Sequence, residues 1–161
     1  MVGACPGTYI LLLRLAEDAE INIGRSNNGK TLFTAGHYGY VGSALGPGGL
    51  GARLKRHAST SVRKHWHIDY LLERATLLGA QVFAGRERLE CRLAGRLKAL
   101  ATSCVAGFGA SDCSCDGHLF FLSAAGGGRA LIELAGRGLN GRYHPVAQLR
   151  VHPLAPSEVT R

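Results

Sequence analysis

Tyr40-Val41-Gly42-Ser43-Ala44 runs through Leu45-Gly46-Pro47-Gly48-Gly49 into Leu50-Gly51-Ala52-Arg53-Leu54-Lys55-Arg56-His57. This stretch reads as a short strand, a glycine-rich turn and a basic helix over Gly49–Ala58. Residues four apart share a helix face, so Arg53 and His57 project together. A tyrosine at a strand end beside a helical Arg/His pair suits the handling of a phosphodiester. The glycines are expected to make a tight turn whose backbone N–H groups face an anion.

Upstream, Gly7–Leu15 is aliphatic, aromatic and β-branched and reads as a buried strand. Glu17–Glu20 is a polar turn and Ile21-Asn22-Ile23 a short strand. Asn28-Gly29 is a hairpin signal, with Thr31–Phe33 as the returning strand. Gly36 breaks the chain and Tyr38–Ser43 forms the next strand. Downstream, His65–Ala75 is a helix with Ile68, Leu71, Leu72 and Ala75 as its apolar stripe, and Ala80–Ala84 is a short strand. Arg86–Ala101 is the clearest helix, because Leu89, Leu93, Leu97 and Leu100 recur at helical spacing. Val105–Gly117 reads as a loop, His118–Ser123 as a late strand, Ala124–Gly128 as a flexible link and Arg129–Gly136 as a short helix. From Gly138 onward order signals fade, with Pro145, Pro153 and Pro156. The expectation is an α/β (α+β) fold with a small central, mostly antiparallel sheet flanked by helices. It spans residues 1–124, followed by a basic Gly/Pro-containing extension over 125–161.

A chain of 161 residues, 46% hydrophobic, suits one domain with a real core. Its formal net charge of +8 favours a polyanionic partner, nucleic acid first. Arginine supplies 15 of the 19 cations, and arginine grips phosphate bidentately where lysine is a point charge. No segment approaches the roughly 20 apolar residues of a membrane span, so no membrane partner is expected. Met1–Pro6 lacks the basic start of a secretory signal. Five cysteines, an odd number, argue against a disulfide framework and for a reducing, cytoplasmic setting.

Gly46-x-Gly48-x-x-Gly51 formally matches a dinucleotide fingerprint, but the helix after it is densely basic and a second helix precedes any strand. A different resemblance covers far more of the chain. Gly7-Thr8-Tyr9 and Tyr40-Val41-Gly42 resemble the paired motifs of the GIY-YIG nuclease superfamily. Ser43-Ala44 and Leu50-x-x-Arg53-x-x-x-His57 resemble the continuation, whose helix carries an essential arginine, and Leu89-Glu90 with Leu93 is similar to the segment of the metal-binding glutamate. The chain to about Phe121 resembles a compact branch of that superfamily, some of whose members are joined to endonuclease III-type repair enzymes. Gly-Pro-Gly-Gly-Leu at 46–50, His-Trp-His-Ile-Asp-Tyr-Leu-Leu at 65–72 and the Phe-Gly-x-Ser-Asp-Cys-x-Cys-x-x-His-Leu block at 108–119 carry the likeness. The fold implied is of GIY-YIG type. The function implied is a divalent-metal-dependent DNA endonuclease, active in repair or in processing structured DNA. The alternative is a catalytically inactive nucleic-acid-binding module on the same fold.

The resemblance implies roles that are chemically coherent. Glu90 would hold one divalent cation, Mg2+ or Mn2+, that polarises the phosphate and leaving oxygen. Arg53 would grip the nonbridging oxygens as charge develops. Tyr40 would take the proton from water, His57 would orient or deprotonate the nucleophile, and Tyr9 would complete the tyrosine pair. A free tyrosine, with pKa about 10, is a poor base at neutral pH.

His65-x-His67 and Asp69 are metal-ligand types, but the block reads as mainly structural around Trp66. His67, Asp112 and His118 are supporting candidates for the site. Cys113-x-Cys115-x-x-His118 is cramped for an ordinary zinc site, with Cys104 or Asp112 as candidate fourth ligands. Buried thiols and loop-locking hydrogen bonds, rather than a structural zinc, are the expectation there. Phosphate contacts are expected from Gly42, Ser43, Lys55, Arg56, Arg63 and Lys64. No base-reading element is visible, so selectivity is expected for DNA structure rather than sequence.

Overall fold

The computed structural model describes residues 2–24, 30–59 and 62–150. Its elements are β1 (Gly7–Leu15), β2 (Ala19–Ile21), β3 (Thr31–Phe33), β4 (Gly36–Ala44), α1 (Gly49–Ala58), α2 (His67–Leu72), β5 (Thr76–Ala84), α3 (Glu90–Leu100), β6 (Ser103–Val105), β7 (Leu119–Ser123), α4 (Gly128–Ala135), β8 (Arg142–Pro145) and α5 (Val146–Arg150). Six strands form one sheet in the order β6-β7-β4-β1-β5-β8, every pairing antiparallel. β2 and β3 form a separate antiparallel hairpin. The α+β expectation holds, and the absence of parallel neighbours in this sheet removes the dinucleotide-binding βαβ unit. Among the described residues no helix is long and apolar enough to cross a membrane.

β1 explains its own sequence. Antiparallel strands with one wet face alternate apolar and polar, but β1 is apolar almost throughout because both its faces are covered. Tyr9, Leu11 and Leu13 face a core that includes Leu50 and Leu54 of α1, Ile68 and Leu71 of α2 and Leu149 of α5. Ile10 and Leu12 face the opposite core, with Leu93 and Leu97 of α3 and Ile132 of α4. The molecule is therefore layered helix, sheet, helix, and one period-two alternation feeds both cores.

Several boundaries differ from expectation for local reasons. α2 begins only at His67, because the Asp69 carboxylate accepts the N–H groups of His65 at 2.8 Å and Trp66 at 2.9 Å and holds them outside the helix. α3 begins at Glu90, with Leu89 as its N-cap. β5 extends back to Thr76, since Leu77 and Gly79 pair with Leu13 and Leu12 of β1. The fading order expected from Gly138 is corrected: β8 pairs with β5 along Arg142–Pro145, and α5 comes directly after it. The sheet thus takes its edge strand from within the expected extension. Pro153, Pro156 and the Asn28-Gly29 turn lie outside the described residues.

The glycine turn also differs. Gly48 and Gly49 have φ of 82° and 57°, so the left-handed backbone that glycine tolerates is used. The first N–H groups of α1 do not face an anion: Leu50 donates to the Cys5 carbonyl and Gly51 to the Gly3 carbonyl, both at 2.8 Å. A Cβ on Gly49 would lie 2.4 Å from the Ala4 and Cys5 carbonyl oxygens, so the N-terminal segment is seated directly on the turn.

One further feature positions the site. β7 pairs with β4 over His37–Tyr40, and the last contact is the Val41 N–H with the His118 carbonyl at 2.9 Å. Among the described residues no strand pairs with Gly42–Ala44 on that side, and Glu90 at the start of α3 shares a hollow with Ser43 there.

Candidate functional site

A cleft of about 280 Å³ opens at this break in the sheet. Tyr9 from β1, Tyr40, Gly42 and Ser43 from β4, Arg53 and His57 from α1, His67 from α2, Glu90 from α3 and Asp112 from the loop all line it. Eight of these positions span 82 residues of sequence, from Tyr9 to Glu90, yet they meet because β1 and β4 are neighbours and α1 succeeds β4 directly.

Gly42 makes room for Tyr9. The two are directly opposite on neighbouring strands, and a Cβ on Gly42 would sit 2.5 Å from the Tyr9 hydroxyl. Without that side chain the phenol lies across β4 and reaches α1, where its oxygen is 2.8 Å from His57 Nε2. Both partners are buried. Burial, and next the neighbouring Tyr40, push the Tyr9 hydroxyl well above the ordinary tyrosine value, with Arg53 opposing. Burial and then Glu90 raise Tyr40 likewise. Burial first, with Arg53 and Arg56 adding to it against Asp69, lowers His57 to about 3. The imidazole is therefore neutral at physiological pH, and its Nδ1 has no hydrogen-bond partner among the described residues. In the tautomer protonated at Nδ1, Nε2 accepts from the Tyr9 hydroxyl.

Glu90 lies across the cleft, its side chain 30% exposed, with Oε1 3.0 Å from His118 Nδ1. This is a close ionic contact rather than an aligned hydrogen bond. Burial raises the Glu90 carboxyl, but His118, Ser43 and Arg53 outweigh it and hold the net value below the ordinary glutamate. The same contact raises His118 against the lowering effect of burial. Glu90 is thus an ionised carboxylate at the cleft mouth, a donor that suits a hard cation.

Arg53 lies with its guanidinium 4.3 Å from the centre of the Trp66 ring. Trp66 and His65 also line the cleft, together with Gly109 and Ser111 of the 108–119 block, although none of the four is among the expected site residues. His67 Nδ1 accepts the Gly109 N–H at 3.2 Å, so its neutral form carries the proton on Nε2. The aromatic wall continues behind them: Phe108, fully buried, has its ring centre 6.0 Å from Tyr40, 5.5 Å from His67 and 6.3 Å from Phe33 of the β2–β3 hairpin. The segment between the two tyrosines therefore supports the cleft through one phenylalanine.

The expected phosphate-contact residues divide. Gly42 and Ser43 line the cleft. Arg56 is bound to Asp69, at 2.7 Å and 2.9 Å in bidentate geometry, and lies over Trp66. Lys64 pairs with Glu73 at 2.9 Å and lies outside the cleft. Arg63 is exposed, and Lys55 stands on α1 without lining the cleft. A larger hollow of about 610 Å³ lies behind His57, lined by charges of both signs such as Lys64, Glu73 and Arg150.

Beside the cleft, Cys113, Cys115 and His118 meet Cys91 of α3, their four ligand atoms all within 4.8 Å of one another. Cys91 takes the place for which the sequence suggests Cys104 or Asp112. The signal that could have found it is its position directly after Glu90, on the first turn of the helix that faces His118.

An antiparallel α+β domain whose sheet opens at a cleft lined by tyrosines, histidines, arginine and one carboxylate is the class of protein these features define. The family model described as "Domain of unknown function DUF123" matches residues 8–139, and the chain belongs to that family. No curated protein and no solved structure matches it.

Proposed function

We propose that the protein is a divalent-metal-dependent endonuclease of GIY-YIG type that hydrolyses DNA phosphodiesters, in repair or in processing of structured DNA. The observation that carries this reading is the convergence of Tyr9, Tyr40, Arg53, His57 and Glu90 on one cleft from four separate elements. The net charge of +8 supports a polyanionic substrate.

Glu90 fits the cation: it is ionised, partly exposed and lines the cleft. Bound there, Mg2+ or Mn2+ supplies Lewis-acid polarisation of the phosphate. Arg53, aligned by Trp66, offers a planar fork to two nonbridging oxygens and stabilises the charge that builds on them. Raised tyrosine values disfavour a standing phenolate, and His57, lowered to about 3, is a weak base. The hydrogen-bonded Tyr9–His57 pair, with Tyr40 beside it, therefore orients the water rather than storing its proton. Water attacks phosphorus as the P–O bond to the leaving oxygen breaks, and the proton that water sheds passes to that leaving oxygen.

The test is cleavage of plasmid, flap and branched DNA with Mg2+ or Mn2+, using wild type, Tyr9→Phe, Arg53→Ala and Glu90→Gln. Each variant is expected to lose at least about a hundredfold in rate. Wild type that binds these DNAs and cuts none would replace this function with the nucleic-acid-binding module. Cleavage unchanged in all three variants would place the chemistry elsewhere.

A further inference from the structure

We infer that Cys91, Cys113, Cys115 and His118 form a structural zinc site that pins the 106–118 loop to the start of α3. Four ligand atoms from one loop and one helix turn lie within 4.8 Å of one another. With Zn–S near 2.3 Å and Zn–N near 2.0 Å, a tetrahedral site sets its ligand atoms about 3.5–3.8 Å apart. The farthest pair therefore needs to close by about 1 Å, within the reach of thiol rotamers. Cys113 Sγ already lies 3.4 Å from His118 Nε2, close to the separation of two ligands on one ion.

The surroundings agree with this. If Nε2 is the ligand, Nδ1 carries the remaining proton and lies 3.0 Å from Glu90 Oε1. A small turn of the ring on metal binding would align that contact into the carboxylate–histidine hydrogen bond which fixes the tautomer and orientation of metal-bound imidazoles. Arg88 borders the same hollow as Cys91, Cys113 and His118, and its cation offsets the net negative charge of three thiolates around a dication. Three sulfur ligands select a soft ion such as zinc over magnesium or manganese, so the site is distinct from the cation proposed at Glu90. Four protein ligands close the coordination sphere, which is the structural rather than the catalytic pattern. Cys5 and Cys104 stand outside the cluster.

The consequence is mechanical. Gly109, Ser111 and Asp112 line the cleft and belong to the loop the ion would hold. An ion here also orients Glu90 through His118. The zinc site does not rest on the nuclease reading, because the ligand set is defined without the cleft's chemistry.

The experiment uses the full chain, purified under reducing conditions and reconstituted with Zn2+, with metal measured by mass spectrometry and free thiols counted in parallel. One zinc per chain is expected, unchanged in Cys104→Ser and less than about a tenth of an equivalent in Cys113→Ser and Cys91→Ser. Co2+ substituted into wild type should give the visible bands of tetrahedral thiolate coordination, which keeps the test valid where a variant does not fold. Zinc below about a tenth of an equivalent in folded, fully reduced wild type overturns the site. So does stoichiometric iron in its place, or full zinc content in Cys91→Ser.

Discussion

Arg56 is the residue whose role changes most between sequence and structure, and Arg56→Ala tests that change. The Asp69 side chain is 1% exposed and Arg56 24% exposed, and the pair is bidentate at 2.7 Å and 2.9 Å. Removing one partner of a buried ion pair costs about 3–5 kcal/mol, since the other charge is left without compensation. Asp69 keeps the N–H groups of His65 and Trp66, which puts the loss near the lower end. The stacking on Trp66 at 4.2 Å adds roughly 0.5–1 kcal/mol. A total of about 3.5 kcal/mol corresponds to a Tm lower by roughly 7–14 °C for a chain of this size. Burial works to raise Asp69, but Arg56 and the two N–H groups lower it below the ordinary aspartate. Its contribution is therefore full above the unfolded value, about 3.9, and is lost as pH falls through the depressed folded one. The gap between wild type and Arg56→Ala should narrow in that acid range. Arg63→Ala, at an exposed position, should stay within about 0.5 kcal/mol of wild type. Paired thermal and urea unfolding at neutral and acid pH measures all of this. A Tm change under about 2 °C for Arg56→Ala, or an equal change for Arg63→Ala, would refute the reasoning.

Three other outcomes are expected. His57 is lowered to about 3 in the folded protein. Below the ordinary histidine value the unfolded chain therefore binds a proton that the folded chain does not, so the His57 contribution to stability falls by about 2 kcal/mol from pH 7.5 to pH 5; His118, raised in the fold, works the other way, so urea titrations should show the fall as a difference between wild type and His57→Gln that closes toward pH 5. Gly42→Ala forces a Cβ to within 2.5 Å of the Tyr9 hydroxyl, so the phenol must leave His57. It should cost about 1–3 kcal/mol and lower any DNA cleavage more than Tyr9→Phe does, and a variant as stable and as active as wild type would contradict the packing described. Phe108→Ala should cost about 3–5 kcal/mol, because the ring is fully buried between the hairpin and the cleft; thermal melts showing less than about 1 kcal/mol would mean the wall repacks.

Where local pattern decides structure, the sequence was sufficient. The apolar run of Gly7–Leu15, the leucine spacing of 89–100 and the glycine-to-helix passage at 48–58 each specify an element, and β1, α3 and α1 stand there. The likeness of Tyr9, Tyr40, Arg53, His57 and Glu90 to a known motif order was legible as well, and those five side chains share one cleft. Residues 142–150 were not legible. β8 has one buried residue, His144, and exists because β5 offers it an open edge.

Sequence by itself determined the properties set by near neighbours in the chain: the long elements β1, β4, α1 and α3, the helix face that holds Arg53 and His57, and a charge suited to a polyanion. Only tertiary structure decided the pairings between distant side chains. Arg56, expected as a phosphate contact, is paired with Asp69, the Leu50 and Gly51 N–H groups answer the N-terminal segment instead of an anion, and Cys91 joins a cysteine pair more than twenty residues away. Such contacts depend on which strands become neighbours and where β7 stops along β4, and that is fixed by burying both faces of the sheet at once.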